Sequence, residues 1–174
     1  MPVLPFDQNR NPLLDWSAHL FTAQRIQYVI LTNTASLYSM VMPGRGMTSD
    51  KKFIQEVLSS MREFMTMDGN KFIFEKHIEP QQREVFFSKI VDRRVTGSMN
   101  DLVFQAKVYL IEVQLSPFEV SSRLNESPMS YLNYDRPKDE LQKLVLRDGE
   151  SPGIEHRENN VIYINAVRPP ATKL

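Results

Sequence analysis

Between Asp50 and Met67 apolar side chains recur every three or four positions. Phe53, Ile54, Val57, Leu58, Met61, Phe64 and Met65 share one arc, and Lys51, Lys52, Gln55, Ser59, Arg62, Glu63 and Thr66 lie opposite. One-sided spacing of this kind predicts a helix over 50–67 that covers one face of a sheet, with Ser49 as its N-cap and Gly69 at its C-terminal end. Upstream, WSAHLFTAQ (16–24), RIQYVILTN (25–33) and LYSMVM (37–42) carry the β-branched and aromatic residues that suit strands. Their short connections, TNTAS among them, predict an antiparallel meander.

The most apolar helical pattern follows Asp92. Leu102, Val103, Ala106, Tyr109, Leu110 and Val113 fill one broad arc, and Phe104, Val108 and Ile111 fill a second on nearly the opposite side. Two apolar arcs imply packing on both flanks, so 99–113 reads as a buried central helix. Gly97 supplies a sharp turn before it. Ser98 reads as the N-cap, with Asp101 completing an S-x-x-D pattern.

Elsewhere the periodicity is weaker. KFIFEKHI (71–78) is too short to decide between helix and strand, whereas EVFFSKIV (84–91) reads as a strand. SPFEVSSRLNESPMSYLNY (116–134) holds two prolines and many small polar residues and reads as a structured loop. A short helix is expected from Arg136 to Leu146, with Pro137 in its first turn and Leu141, Leu144 and Val145 facing inward. RDGESPGIEHRENN is a polar link, VIYINAV (161–167) is a late strand, and RPPATKL is a tail. The expected fold is α+β: an antiparallel sheet with the covering helix on one face and the central helix buried between layers. The expected organisation is an N-terminal arm over 1–15, one globular domain over 16–146 and a C-terminal extension over 147–174.

Composition narrows the chemistry. The chain has 21 acidic and 21 basic residues and no cysteine. Zero net charge disfavours generic binding to nucleic-acid backbones, and the missing thiols remove disulfides, zinc–thiolate centres and cysteine nucleophiles. The first residues, MPVLPFDQNRNPLL, lack the pattern of a secretory signal, and no apolar run reaches the roughly 20 residues needed to span a bilayer. A cytoplasmic protein without a membrane contact is therefore expected. His19, His77 and His156 lack ligand spacing, and no P-loop, G-x-G-x-x-G or G-x-S-x-G motif occurs, so neither a metal nor another cofactor is expected.

Three polar groupings remain as candidate sites. Asp92, Arg93, Arg94, Ser98, Asn100 and Asp101 surround the expected helix start, where free N–H groups and the dipole favour an anion and two arginines can grip a phosphate or carboxylate. The same residues also make an ordinary turn and cap. Arg123, Asn125, Glu126 and Tyr131 cluster in the expected loop, and Thr32-Asn33-Thr34 sits at a strand end.

Three phrases taken together, LTNTASLYSMVMPG, DRRVTGSMNDLVF and LNESPMSYLNY, resemble the signature blocks of a bacterial family of plasmid open-reading-frame-like proteins of unknown function. The resemblance spans roughly 16–146. Where the family pattern reads DRSVLGSMNDL, this chain has Arg94 in place of the serine and Thr96 in place of the leucine. The resemblance implies a single domain and supplies no chemistry. The first functional expectation is a non-enzymatic intracellular interaction or accessory module with a possible protein partner. The competing expectation is a small enzyme or ligand-binding protein for a phosphate-bearing or nucleic-acid substrate, with Arg93 and Arg94 on the anion and Asp92 or Asp101 as base or divalent-ion ligand.

Overall fold

In the computed structural model, which describes residues 10–82, 85–90, 92–150 and 161–166, the predicted meander is present. β1 (Asp15–Ala23) pairs antiparallel with β2 (Ile26–Asn33), and β2 with β3 (Ser39–Pro43). The first hairpin closes through Gln24 and Arg25, both at positive φ. Two such residues give the turn whose twist matches the strands, although neither is the Asn or Gly that usually marks it.

The rest of the sheet departs from the expected antiparallel pattern. β4 (Val85–Lys89) and β5 (Ile162–Ala166) pair parallel, and β5 also pairs parallel with β1, giving a mixed sheet of order β3-β2-β1-β5-β4. A segment expected as C-terminal extension thus supplies an interior strand. Alternation of side chains across it separates two apolar layers. Residues 1–9 of the expected arm, 151–160 of the polar link with His156, and the 167–174 tail lie outside the described residues.

One layer joins Trp16, Val29, Leu31, Met40, Phe87 and Ile164 to α1 (Asp50–Met67), which covers them as predicted. Ser49 caps α1 by accepting from Lys52 N, and Gly69 at φ 82° lets Asn70 N reach back to Met65 O. The undecided stretch after it is helical: α2 (Lys71–Ile73) widens into a π turn over Phe74–Ile78 and ends in a 3-10 turn, Glu79–Gln81. His77 in that turn has Nδ1 3.4 Å from Asp148 Oδ2 and a buried Nε2 without a hydrogen-bond partner. Burial pulls the His77 imidazole below its ordinary 6.5, with Asp148 opposing and Lys76 adding to the shift. The unfolded chain then takes up this proton first, so stability holds above 6.5 and is lost as pH falls below it. Urea midpoints are expected to fall between neutral and mildly acidic pH, and His77→Gln should flatten that slope; an unchanged slope would refute the assignment.

The other layer joins Phe21, Ile30 and Val41 to α3 (Arg93–Ile111) and α4 (Pro117–Glu126). Two expectations fail here. The helix starts at Arg93, five residues before Ser98, so Gly97 lies inside it. Moreover, α3 is buried on one flank only: Leu102 and Ala106 are wholly enclosed, while Phe104 is 69% exposed and Val108 37%. The stretch 116–134, expected as loop, contains α4 with a full capping box between Ser116 and Glu119 and Pro117 in the first turn. α5 (Pro137–Glu150) follows as predicted, seating Leu141 in the first layer, with Leu144 and Val145 packed against it.

Candidate functional site

The first grouping is dispersed along α3. Asp92 is the N-cap, accepting from Arg94 N at 2.8 Å, and its carboxylate also takes the Arg94 guanidinium at 3.0 Å. Those bonds hold the Asp92 carboxyl below its usual range. Ser98, expected as the cap, instead donates to Arg94 O one turn back. Arg93, Asn100 and Asp101 are exposed along the helix. Cap and arginine therefore satisfy each other, and the six residues do not converge on one point.

The second grouping divides as well. Asn125 is buried and turned toward β3, where it accepts from Ser39 N at 2.7 Å and donates to Ser39 O at 2.8 Å. Ser121 Oγ accepts from Val41 N at 2.8 Å, so α4 side chains occupy the outer edge of β3 and stand in for another strand. Glu126 pairs with Lys138 and Arg123 is exposed. Only Tyr131 turns elsewhere. In the third grouping Asn33 is fully buried: its side chain accepts from Ser36 N and donates to Pro12 O, which fixes the chain's return into β3.

Strand register gathers a set of polar residues that sequence reading did not connect. Ser88, Asn165, Ser17, Thr32 and Ser39 are successive partners across all five strands, and each is buried. At its centre Asn165 Nδ2 donates to Asp15 Oδ1 and Trp16 O, while Asn165 Oδ1 accepts from Arg10 at 2.7 Å. Arg10 also donates to Ser88 at 2.9 Å and lies 3.9 Å above the Tyr163 ring. Burial pushes the Asp15 carboxyl up, opposed by Asn165, Arg10 and Thr34. A polar position amid each apolar strand was the available signal; the register that aligns them was not visible.

At this end of the sheet an open cleft of about 650 Å³ lies among Ala35, Arg94, Tyr131, Asn133, Lys143 and Arg147. It joins Arg94 of the first grouping to Tyr131 of the second. Lys143 Nζ sits 2.8 Å from Asp135 and 2.6 Å from Glu140, which raise its pKa, and burial with the Asp92 charge raises the Tyr131 phenol. The chain between α4 and α5 forms the rim. Met129 and Leu132 anchor it in the core, and Tyr134 N and Leu132 N both donate to Met129 O. Asn133 and Tyr134 stand at φ 53° and 67°, and Tyr134 is 74% exposed.

The rim and the cleft residues up to Glu140 fall within the reach of a known family; Lys143 and Arg147 lie beyond it. The chain belongs to the family described as a domain of unknown function, DUF6933, matched over residues 1–140. The match takes in β1–β4, α1–α4 and the first residues of α5, and stops before β5. Comparison with curated proteins finds no match. Among the described residues no helix is long and apolar enough to cross a membrane, and no three of His, Asp and Glu gather as metal ligands.

Proposed function

We propose that this member of the DUF6933 family is a non-enzymatic interaction module, intracellular and bacterial, that holds a polypeptide segment of mixed charge in the cleft beside Tyr134. The observation that carries this reading is Tyr134 itself. A bulky residue at positive φ costs on the order of 1 kcal/mol or more. Here that strained backbone presents an aromatic ring to solvent, on a loop already held by two buried anchors. Tyr and Arg are the side chains that contribute most at protein contacts, and a pre-ordered loop spares the entropy of ordering on binding. The cleft offers both signs of charge, with Arg94, Lys143 and Arg147 beside Asp135 and Glu140. Such a lining suits a chain with alternating charges better than a phosphate. The resemblance to plasmid open reading frames supports the bacterial setting.

Peptide display against the full chain tests the reading. Bound sequences should carry acidic and basic residues around an apolar anchor, and Tyr134→Gly should weaken them about tenfold or more. The same substitution should leave melting temperature unchanged or raised, since glycine accepts this backbone without strain. Binding indifferent to Tyr134→Gly, or no bound peptide at all, would overturn it. Thermal stabilisation by inorganic phosphate that disappears in Arg94→Ala would favour the phosphate-ligand reading instead.

A further inference from the structure

The outward flank of α3 is unlike the rest of the surface. Gly97, Phe104 and Val108 are exposed along it, and Ile111, half-buried against the core layer, closes the row one turn further on, with Phe104 midway between Gly97 and Ile111. Its charges also run against the helix dipole. Inside the Asp92 cap, Arg93 and Arg94 occupy the positive first turn, which holds no acid; Glu112 follows the negative last turn, which holds no base. A lone helix is destabilised by this arrangement. An antiparallel neighbour of the same kind reverses the penalty, because each basic start then lies beside the other's acidic end.

We infer that this flank pairs antiparallel with the same flank of a second copy of the chain, across a two-fold axis beside Phe104. Residues equidistant from that axis meet. Phe104 packs on Phe104 of the second copy. Ile111, seven positions on and about 10 Å along the axis, reaches Gly97, where a Cβ would find nothing within 4 Å. Arg93 lies against the end marked by Glu112. Charge and size thus complement each other under a single symmetry operation, which is what an isologous contact requires. One helix flank is at the small end of stable interfaces, so the pairing is weak, with a dissociation constant on the order of 10 µM. It goes beyond the reading above.

Sedimentation velocity on the full chain, from low to high micromolar concentration, tests this. The wild type should shift from monomer to dimer. Phe104→Asp should weaken pairing at least about tenfold. Gly97→Leu should do the same while keeping the fold, since its side chain enters open space. Glu112→Arg should weaken it, and the double reversal Arg93→Glu with Glu112→Arg should restore it. Circular dichroism and melting confirm that each variant is folded. A wild type that stays monomeric throughout overturns the pairing and leaves the flank to a different protein. A dimer indifferent to Phe104→Asp and Gly97→Leu, or a double reversal that restores nothing, overturns it equally.

Discussion

Asn165→Ala is expected to remove about 3 kcal/mol of stability, the cost of taking a hydrogen-bond partner from two buried charged groups at once. In a chain of 174 residues this corresponds to a melting temperature lower by about 6–12 °C. The side chain being lost is the one that touches Arg10, Asp15 and the Trp16 carbonyl at once. Without it, Arg10 keeps Ser88 and a 3.7 Å approach to Asp15, but Asp15 stays buried with less to offset its desolvation. The Asp15 pKa should therefore rise further. A group with a raised folded-state pKa contributes stability below its unfolded value and loses it as pH rises through the folded one. The variant should accordingly lose more at neutral pH than in acid, where Asp15 is protonated in both states. Urea unfolding at the two pH values reads both effects. A loss under about 1 kcal/mol at neutral pH, or one independent of pH, would show that the network is not holding β5 in the sheet.

That network also marks where sequence reading reaches its limit. The meander and α1 were legible because their signals are local: β-branched runs closed by short turns, and one apolar arc capped by Ser49. β5 was recognised as a strand from VIYINAV, but its place between β1 and β4 depends on pairing over about 150 residues, and no local pattern encodes that. α4 carried a readable signal in Ser116 and Glu119, which Pro117 and Pro128 obscured, since a proline is tolerated at a first helical turn and also marks a loop. The start of α3 was misplaced because two good caps, Asp92 and Ser98, stand six positions apart. The glycine between them reads as a turn although a helix interior tolerates it at a cost of about 1 kcal/mol. For the cleft, sequence reading found Arg94 and Tyr131 separately. Lys143 and Arg147 were not foreseen, because only the docking of α5 brings them alongside. Tyr134 carries no local mark of its role; its strain is a property of backbone angles that no residue name reveals.

The two flanks of α3 should respond to substitution in opposite ways. Leu102→Ala is expected to cost about 3 kcal/mol, because a fully enclosed side chain leaves a cavity among Val95, Met99 and Ala106 of its own helix and the strands beneath. Phe104→Ser, two residues on, should cost less than about 0.5 kcal/mol in the dilute monomer, as for surface changes generally. Denaturant unfolding at low concentration measures both on one scale. A two-sided helix would make the pair alike, with Phe104→Ser approaching the cost of an aromatic lost from a core. The contrast bears on function as much as on folding. A phenylalanine ring exposed at a site where serine costs little to fold is free to meet something outside the monomer. Equal, large losses at both positions would instead make Phe104 a core residue and leave α3 no free apolar flank.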